Sequence, residues 1–231
     1  MLFTIGDLHL PLGIDKPMDI FGGKWDNYVS KLYDNWQSMV GDGDTVVIPG
    51  DLSWATYIED AERDFEFLES LNGKKIILKG NHDYWWTTMA KMEKFILEHG
   101  YSSISFLQNN SFEVEGISVC GTRGWLYPGF SAFTKEDERY FNREVARLEM
   151  SLNSAVSDER YVFMHYPPTS RTGNSNAFIE IMKEYGVKNC FYGHLHGSSH
   201  IFKIPYNVDG IKFSLVASDY LSFKPLEIRR D

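Results

Sequence analysis

Cysteine is scarce: the 231-residue chain has only Cys120 and Cys190, each inside an apolar or aromatic run and neither in a CxxC pair. That excludes a disulfide framework and a thiolate metal site, and it predicts two buried free thiols. Basic charge is also short. Twenty-three Lys and Arg face 32 Asp and Glu, a formal net charge of −9, and the chain has no Lys/Arg tract. Such a field repels polyanions, so nucleic acid and anionic bilayers are not expected partners. No apolar run approaches bilayer length, and Met1-Leu2-Phe3-Thr4-Ile5 leads at once into polar residues. The expectation is therefore a cytoplasmic protein with neither leader nor membrane span. Repeats, low-complexity tracts and Pro/Ser linkers are lacking too, and the length suits one well-buried domain spanning residues 1–231.

What is present is strand–helix alternation. Short runs rich in Val, Ile and Phe, bounded by Gly or Asp, predict strands at Leu2 to Ile5, Thr45 to Ile48, Lys75 to Leu78, Ile117 to Cys120, Tyr161 to Met164, Cys190 to Tyr192, His200 to Phe202 and Ile211 to Val216. Most read as buried on both faces. Tyr28, Leu32, Trp36 and Val40 step at helical spacing, and further helices are predicted over Asp60 to Leu71, Thr87 to His99, Lys135 to Ser154 and Asn176 to Tyr185. An α/β fold follows. Two irregular glycine-bearing loops, Pro11 to Gly23 and Tyr127 to Phe133, are candidates to cover a site.

The metal-capable side chains fall just after predicted strands, where open α/β sheets place their ligands. They are Asp7 and His9 in Gly-Asp-Leu-His, Asp51 in Gly-Asp-Leu-Ser, Asn81, His82 and Asp83 in Gly-Asn-His-Asp, His165, and His194 and His196 in Gly-His-Leu-His. Residues two apart on an extended segment point the same way, so Asp-x-His and His-x-His can serve one cation or two adjacent ones. Carboxylate, imidazole and amide oxygen suit Mn, Fe, Zn, Co or Mg. His99 and His200 are read as structural. Seven aromatics crowd the same segments (Trp54, Tyr84, Trp85, Trp86, Trp125, Tyr127 and Tyr166); most should pack as core, with one or two meeting substrate.

The ordered set resembles the calcineurin-like metallophosphoesterase superfamily, from Asp7 through His196. The resemblance implies a four-layer α-β-β-α sandwich of two mixed β-sheets flanked by helices, with a dinuclear site on loops at the strand C-terminal edge. It implies one cation on Asp7, His9, Asp51 and His196 and a second on Asp51, Asn81, His165 and His194, with Asp51 as the bridge; manganese is the first expectation. A metal-bridging hydroxide would hydrolyse a P–O bond of a phosphomonoester, phosphodiester or pyrophosphate. His82 would assist the leaving group, with Asp83 orienting its ring. Arg123, flanked by glycines in Gly-Thr-Arg-Gly-Trp, is read either as a bidentate phosphate contact or as the partner of a surface carboxylate.

A small phosphate compound is the expected substrate. A nuclease-like activity would need a basic groove built from separated residues such as Lys16, Lys24 and Arg171, and a non-catalytic metal-binding scaffold would ordinarily have lost a motif residue. Leu52-Ser53-Trp54-Ala55 after Asp51 departs from the Asp-Arg-Gly stretch of serine/threonine protein phosphatases. Gly-Asn-His-Asp also differs from the arginine-bearing block of lipid-A pathway pyrophosphatases.

Overall fold

The structure, a computed structural model, describes residues 1–16, 18, 20 and 22–230. Among the described residues, eleven strands form two sheets. The first contains β1 (Leu2–Thr4), β2 (Thr45–Pro49), β3 (Lys74–Leu78), β4 (Ile104–Leu107) and β11 (Leu226–Ile228), in the order β11-β1-β2-β3-β4. The second contains β5 (Phe112–Val114), β6 (Ile117–Thr122), β7 (Arg160–Met164), β8 (Asn189–Tyr192), β9 (Asn207–Val208) and β10 (Ile211–Leu215), in the order β5-β6-β7-β8-β10-β9. Each sheet is parallel inside and closed by antiparallel edge strands: β11 on β1 in the first, β5 on β6 and β9 on β10 in the second.

Alternation along each strand divides the core into three layers. Leu2, Val47, Ile76 and Leu78 of the first sheet meet Val119, Tyr161, Phe163 and Phe191 of the second. Their neighbours face outward. Phe3, Val46, Ile48 and Ile77 pack under α1 (Tyr28–Met39), α2 (Glu62–Ser70) and α3 (Met89–Glu98). Val162, Met164, Cys190 and Tyr192 pack under α4 (Lys135–Asn153) and α5 (Ala177–Glu184). The result is two mixed sheets back to back with helices outside both. Strands covered on both sides have no polar face, which is why β2 is buried at all five positions.

Helix ends are set by side-chain caps. Thr134 and Asp137 form a capping box on α4, and Asn176 caps α5 through the Phe178 N–H. The stripe Tyr28, Leu32, Trp36 is the buried face of α1, and both cysteines are free and buried. One expected strand is absent: His200 to Phe202 lies in a 3-10 turn, Gly197–Phe202, with Ile201 and Phe202 exposed. The ladder position beside β10 is taken by β9 instead. Strands β4, β5, β9 and β11 were not read from the sequence; all are short, and polar residues interrupt or flank their apolar ones. Among the described residues, no helix is long and apolar enough to cross a membrane.

Asp64, buried on α2, accepts hydrogen bonds from Leu12 N–H (2.8 Å) and the Ser53 hydroxyl, tying two loops together. Burial pushes its carboxyl up to about 6, against those hydrogen bonds. A folded-state value above the unfolded one means the carboxyl contributes stability fully below about pH 4 and loses it as pH rises through about 6, worth ~3 kcal/mol. Asp64→Asn should therefore lose less stability than the wild type between pH 4 and 7. Denaturant melts across that range check this, and parallel curves for the two proteins would contradict it.

Candidate metal centre

The parallel strands of both sheets end at one edge of the sandwich, and the sheets are joined there. Gly6 N–H donates to Val216 O (2.8 Å) and Ser218 N–H to Gly6 O (3.0 Å), so the loops after β1 and β10 are held together. Loops after β2, β3, β7 and β8 complete the cluster. Asp7, Asp51 and His165 are buried, as is His9, while Asn81, His194 and His196 are partly exposed. All seven residues expected to ligate metal are brought together.

Their ligand atoms converge on two places. Asp7, His9 and His196 form one group that could hold a cation, and Asp7, Asp51 and His165 another. Around the second, His165 Nε2 lies 2.6 Å from Asn81 Oδ1, His194 Nδ1 lies 2.8 Å from the same oxygen, and the two nitrogens are 3.3 Å apart. Donor atoms roughly 2.1 Å from one cation stand about 3.0–3.4 Å apart, so this triangle is close to one face of a coordination shell. His165 Nδ1 faces the Pro49 carbonyl at 3.2 Å, which only an N–H can meet favourably. The neutral ring then turns a lone pair from Nε2 towards the lone pairs of Asn81 Oδ1. A cation between them removes that conflict, as does an Asn81 amide turned to present its NH2.

Asp51 sits between the two groups. Its Oδ1 accepts the His82 N–H (2.7 Å), while Oδ2 lies 3.7 Å from His9 Nε2 and 3.5 Å from His165 Nε2. The resemblance gives the bridge to Asp51, a role that needs a carboxylate because both of its oxygens must accept. The geometry refines it: Oδ2 alone faces both groups, and Oδ1 anchors the neighbouring loop.

Backbone conformation makes these approaches possible. Asp7, His9, Asp51 and His194 all have positive φ (58°, 48°, 53° and 72°), a region costly for residues with a Cβ. The glycines of the motifs serve mainly close approach rather than turning: a Cβ on Gly80 would overlap the Asp51 carboxylate, and one on Gly193 would overlap that of Asp7.

The electrostatics fit a cation site. Among the described residues, the ion-pair partners of Asp7 and Asp51 are histidines only. Burial, then the charges of Asp83 and Asp7, pushes the Asp51 carboxyl well above its ordinary value. Burial, reinforced by neighbouring histidines, pushes His9 well below its usual value and is the main cause lowering His165 and His194 to about 3, so these rings keep free lone pairs. His196 behaves oppositely. Burial works against it, but the Asp7 and Asp219 carboxylates push it up to about 10. With protein groups alone, its imidazolium supplies positive charge; a divalent cation would take over that role.

Sequence reasoning missed Asp219, whose Oδ1 accepts from His196 Nδ1 (2.8 Å) and whose Oδ2 accepts from Gly197 N–H (2.9 Å). This carboxylate fixes the orientation of the His196 ring, with Nε2 towards Asp7 and His9. It follows the Ile211 to Val216 strand by three residues, so the rule that selected the others could have found it. His200 pairs with the same carboxylate (3.3 Å).

Two assignments change. Asp83 does not orient the His82 ring. Its Oδ2 accepts from Asp51 N–H and Gly80 N–H (2.8 and 2.7 Å), and its Oδ1 from Leu52 N–H, Ser53 N–H and the Trp85 indole (2.9, 3.3 and 3.0 Å). It is a buried clamp between the β2 and β3 loops. Arg123 is turned towards Glu144 on α4 (3.7 Å), a buried rather than a surface carboxylate, and lies over the Trp125 ring (4.5 Å). Arg123 also supports the site through its carbonyl, which accepts the His165 and Tyr166 N–H groups.

His82 is half-buried beside His9 and Trp54, with ring centroids 5.7 and 4.6 Å away. Burial, then Lys16, lowers its pKa. Lys16 lies 3.4 Å over the Trp54 ring, whose indole meets Met18 Sδ at 3.0 Å. The described part of the Pro11 to Gly23 loop thus lies against the site; Pro17, Asp19 and Phe21 lie outside the described residues.

No curated protein matches the sequence. Several solved structures share its fold. They include AQ665, a protein of unknown function from Aquifex aeolicus (17% identity, 98% of this chain and 94% of that one, TM-score 0.51). Phosphopantetheinyl hydrolase (PptH) from Mycobacterium tuberculosis is another (13%, 100% and 96%, TM-score 0.55). A third is TT1561 of Thermus thermophilus (12%, 84% and 81%, TM-score 0.52). At these identities the likeness is one of fold. The family model for calcineurin-like phosphoesterases matches residues 2–198, a span that takes in every motif from Asp7 to His196, and the chain belongs to that family.

Proposed function

We propose that this protein hydrolyses a phosphoester of a small molecule, using two divalent cations held by Asp7, His9, Asp51 and His196 and by Asp51, Asn81, His165 and His194. The observation that carries the reading is the triangle of Asn81 Oδ1, His165 Nε2 and His194 Nδ1, three ligand-type atoms 2.6, 2.8 and 3.3 Å apart. Two such cations would neutralise phosphoryl charge and acidify a water for in-line attack, with manganese as the first metal to try.

The chain's own groups do the rest. Asp51 Oδ2 holds the two halves of the site in register, while its Oδ1 fixes the His82 backbone. Free of the proposed ligand set, His82 in its imidazolium form would give its proton to the departing oxygen. Lys16, over Trp54 on the His82 side, is placed to meet phosphoryl charge. The net charge of −9 favours a small substrate over nucleic acid.

The test is hydrolysis of nitrophenyl mono- and diesters by metal-stripped protein refilled with Mn, Co, Zn or Mg. Since one fold neighbour is named a phosphopantetheinyl hydrolase, a phosphopantetheinyl ester belongs in the panel. Activity should return with metal. His82→Ala should keep its metal content yet lose about 10²–10⁴-fold in kcat. Full turnover in that variant would remove His82 from the mechanism, and silence with every ester and metal would sink the hydrolase reading.

A further inference from the structure

Beside the metal-capable group lies a groove of about 490 Å³ walled by Trp125, Tyr127, Phe130, Tyr166 and Phe202. Its size lies within the roughly 300–1,000 Å³ of small-molecule pockets. His194 also lines it, and His194 Nδ1 is one corner of the converging triangle. Tyr166 packs on the His194 ring with centroids 4.4 Å apart. The groove is therefore continuous with the site. Phe130 and Phe202, 42% and 53% exposed, hold large apolar surfaces in water around it, an arrangement that typically marks a surface meant to be covered.

His82 is not on this wall; its ring neighbours are His9, Trp54 and Tyr84. The site thus has two unlike flanks. One carries the proton donor and Lys16. The other is aromatic, with Arg171, Thr169, Ser170 and Ser199 among its polar lining. In an in-line displacement the departing oxygen needs the proton, so it belongs on the His82 flank. What reaches the aromatic flank is whatever stays bonded to phosphorus. In a monoester these are bare charged oxygens, which leave the aromatic rings of this flank uncovered whatever they find at Arg171.

We infer that this groove receives the non-leaving arm of a phosphodiester, and that the arm is aromatic or otherwise apolar. The inference rests on the phosphoester-hydrolase reading above. Water oxygen bonds to phosphorus, the P–O bond on the His82 flank breaks, the His82 imidazolium proton passes to the departing oxygen, and the proton released by the water restores His82 through solvent. The product in the groove is the monoester that keeps the arm.

The test holds the leaving group constant. p-Nitrophenyl phosphate, methyl p-nitrophenyl phosphate and phenyl p-nitrophenyl phosphate release the same phenol and differ only in what remains. The phenyl diester should exceed the methyl diester in kcat/KM by at least about tenfold, ~1.4 kcal/mol, and exceed the monoester too. Phe130→Ser and Phe202→Ser should each bring the phenyl-to-methyl ratio towards one. Equal rates for the two diesters, faster monoester cleavage, or a ratio that survives both substitutions would overturn the inference. If none of the three esters turns over, the hydrolase reading fails first. The groove is then read by calorimetry on the metal-loaded protein: phenylphosphonate should bind at least about tenfold tighter than methylphosphonate, and equal affinity would overturn it.

Discussion

Asp51→Asn is expected to lower turnover of any phosphoester substrate by about 10³-fold or more and to reduce bound metal below two ions per chain. The reason lies in how the side chain is already committed. Oδ1 accepts the His82 N–H at 2.7 Å, and an asparagine carbonyl can keep that bond. The amide nitrogen must then replace Oδ2, midway between His9 Nε2 and His165 Nε2. Two N–H donors would point at the place where both halves of the site need a shared anion. The β2 loop should be unaffected, because its N–H groups bind Asp83 rather than Asp51. Metal analysis by inductively coupled plasma spectrometry, with circular dichroism as the control for folding, reads the outcome. Two ions per chain and wild-type turnover in a folded variant would show that Asp51 is no bridge.

Much of this was legible in the sequence, for a physical reason. A buried parallel strand must be a short apolar run, and it must stop where the chain meets polar ligands. Gly6-Asp7, Gly50-Asp51, Gly80-Asn81 and Gly193-His194 therefore announce both the strand end and the site. Side-chain direction is a different matter. Sequence proximity suggested that Asp83 serves His82, yet adjacent residues in a turn diverge, and the Asp83 carboxylate finds backbone donors in a loop thirty residues away. Arg123 was read by its glycine neighbours, but its partner, Glu144, comes from α4, which lies against β6 only after folding. Positive φ at Asp7, His9, Asp51 and His194 had no signal either, because none is glycine; tertiary contacts impose that strain. The aromatics did not divide as expected: Trp54, Trp85 and Trp86 are core, but Tyr84 is exposed and Trp125, Tyr127 and Tyr166 line the groove.

The clamp role of Asp83 makes the second large prediction. Asp83→Ala strips the acceptor from five buried donors, four backbone N–H groups and the Trp85 indole. A buried donor left without a partner costs about 1–3 kcal/mol, so even after partial relaxation the loss should reach at least about 4 kcal/mol, or ~10 °C in melting temperature for a chain of this length. Asp83→Asn should fall between the two, since it keeps one acceptor oxygen but turns an amide NH2 towards N–H donors on the other side. Melts of metal-stripped proteins separate this from loss of metal. A residue that merely oriented the His82 ring would give the reverse pattern, with kcat reduced and the melt unchanged. The clamp instead predicts that stability moves first. Activity should follow in proportion to how far the β2 and β3 loops drift apart, because those loops carry Asp51 and Asn81, one from each side of the bond network that Asp83 closes.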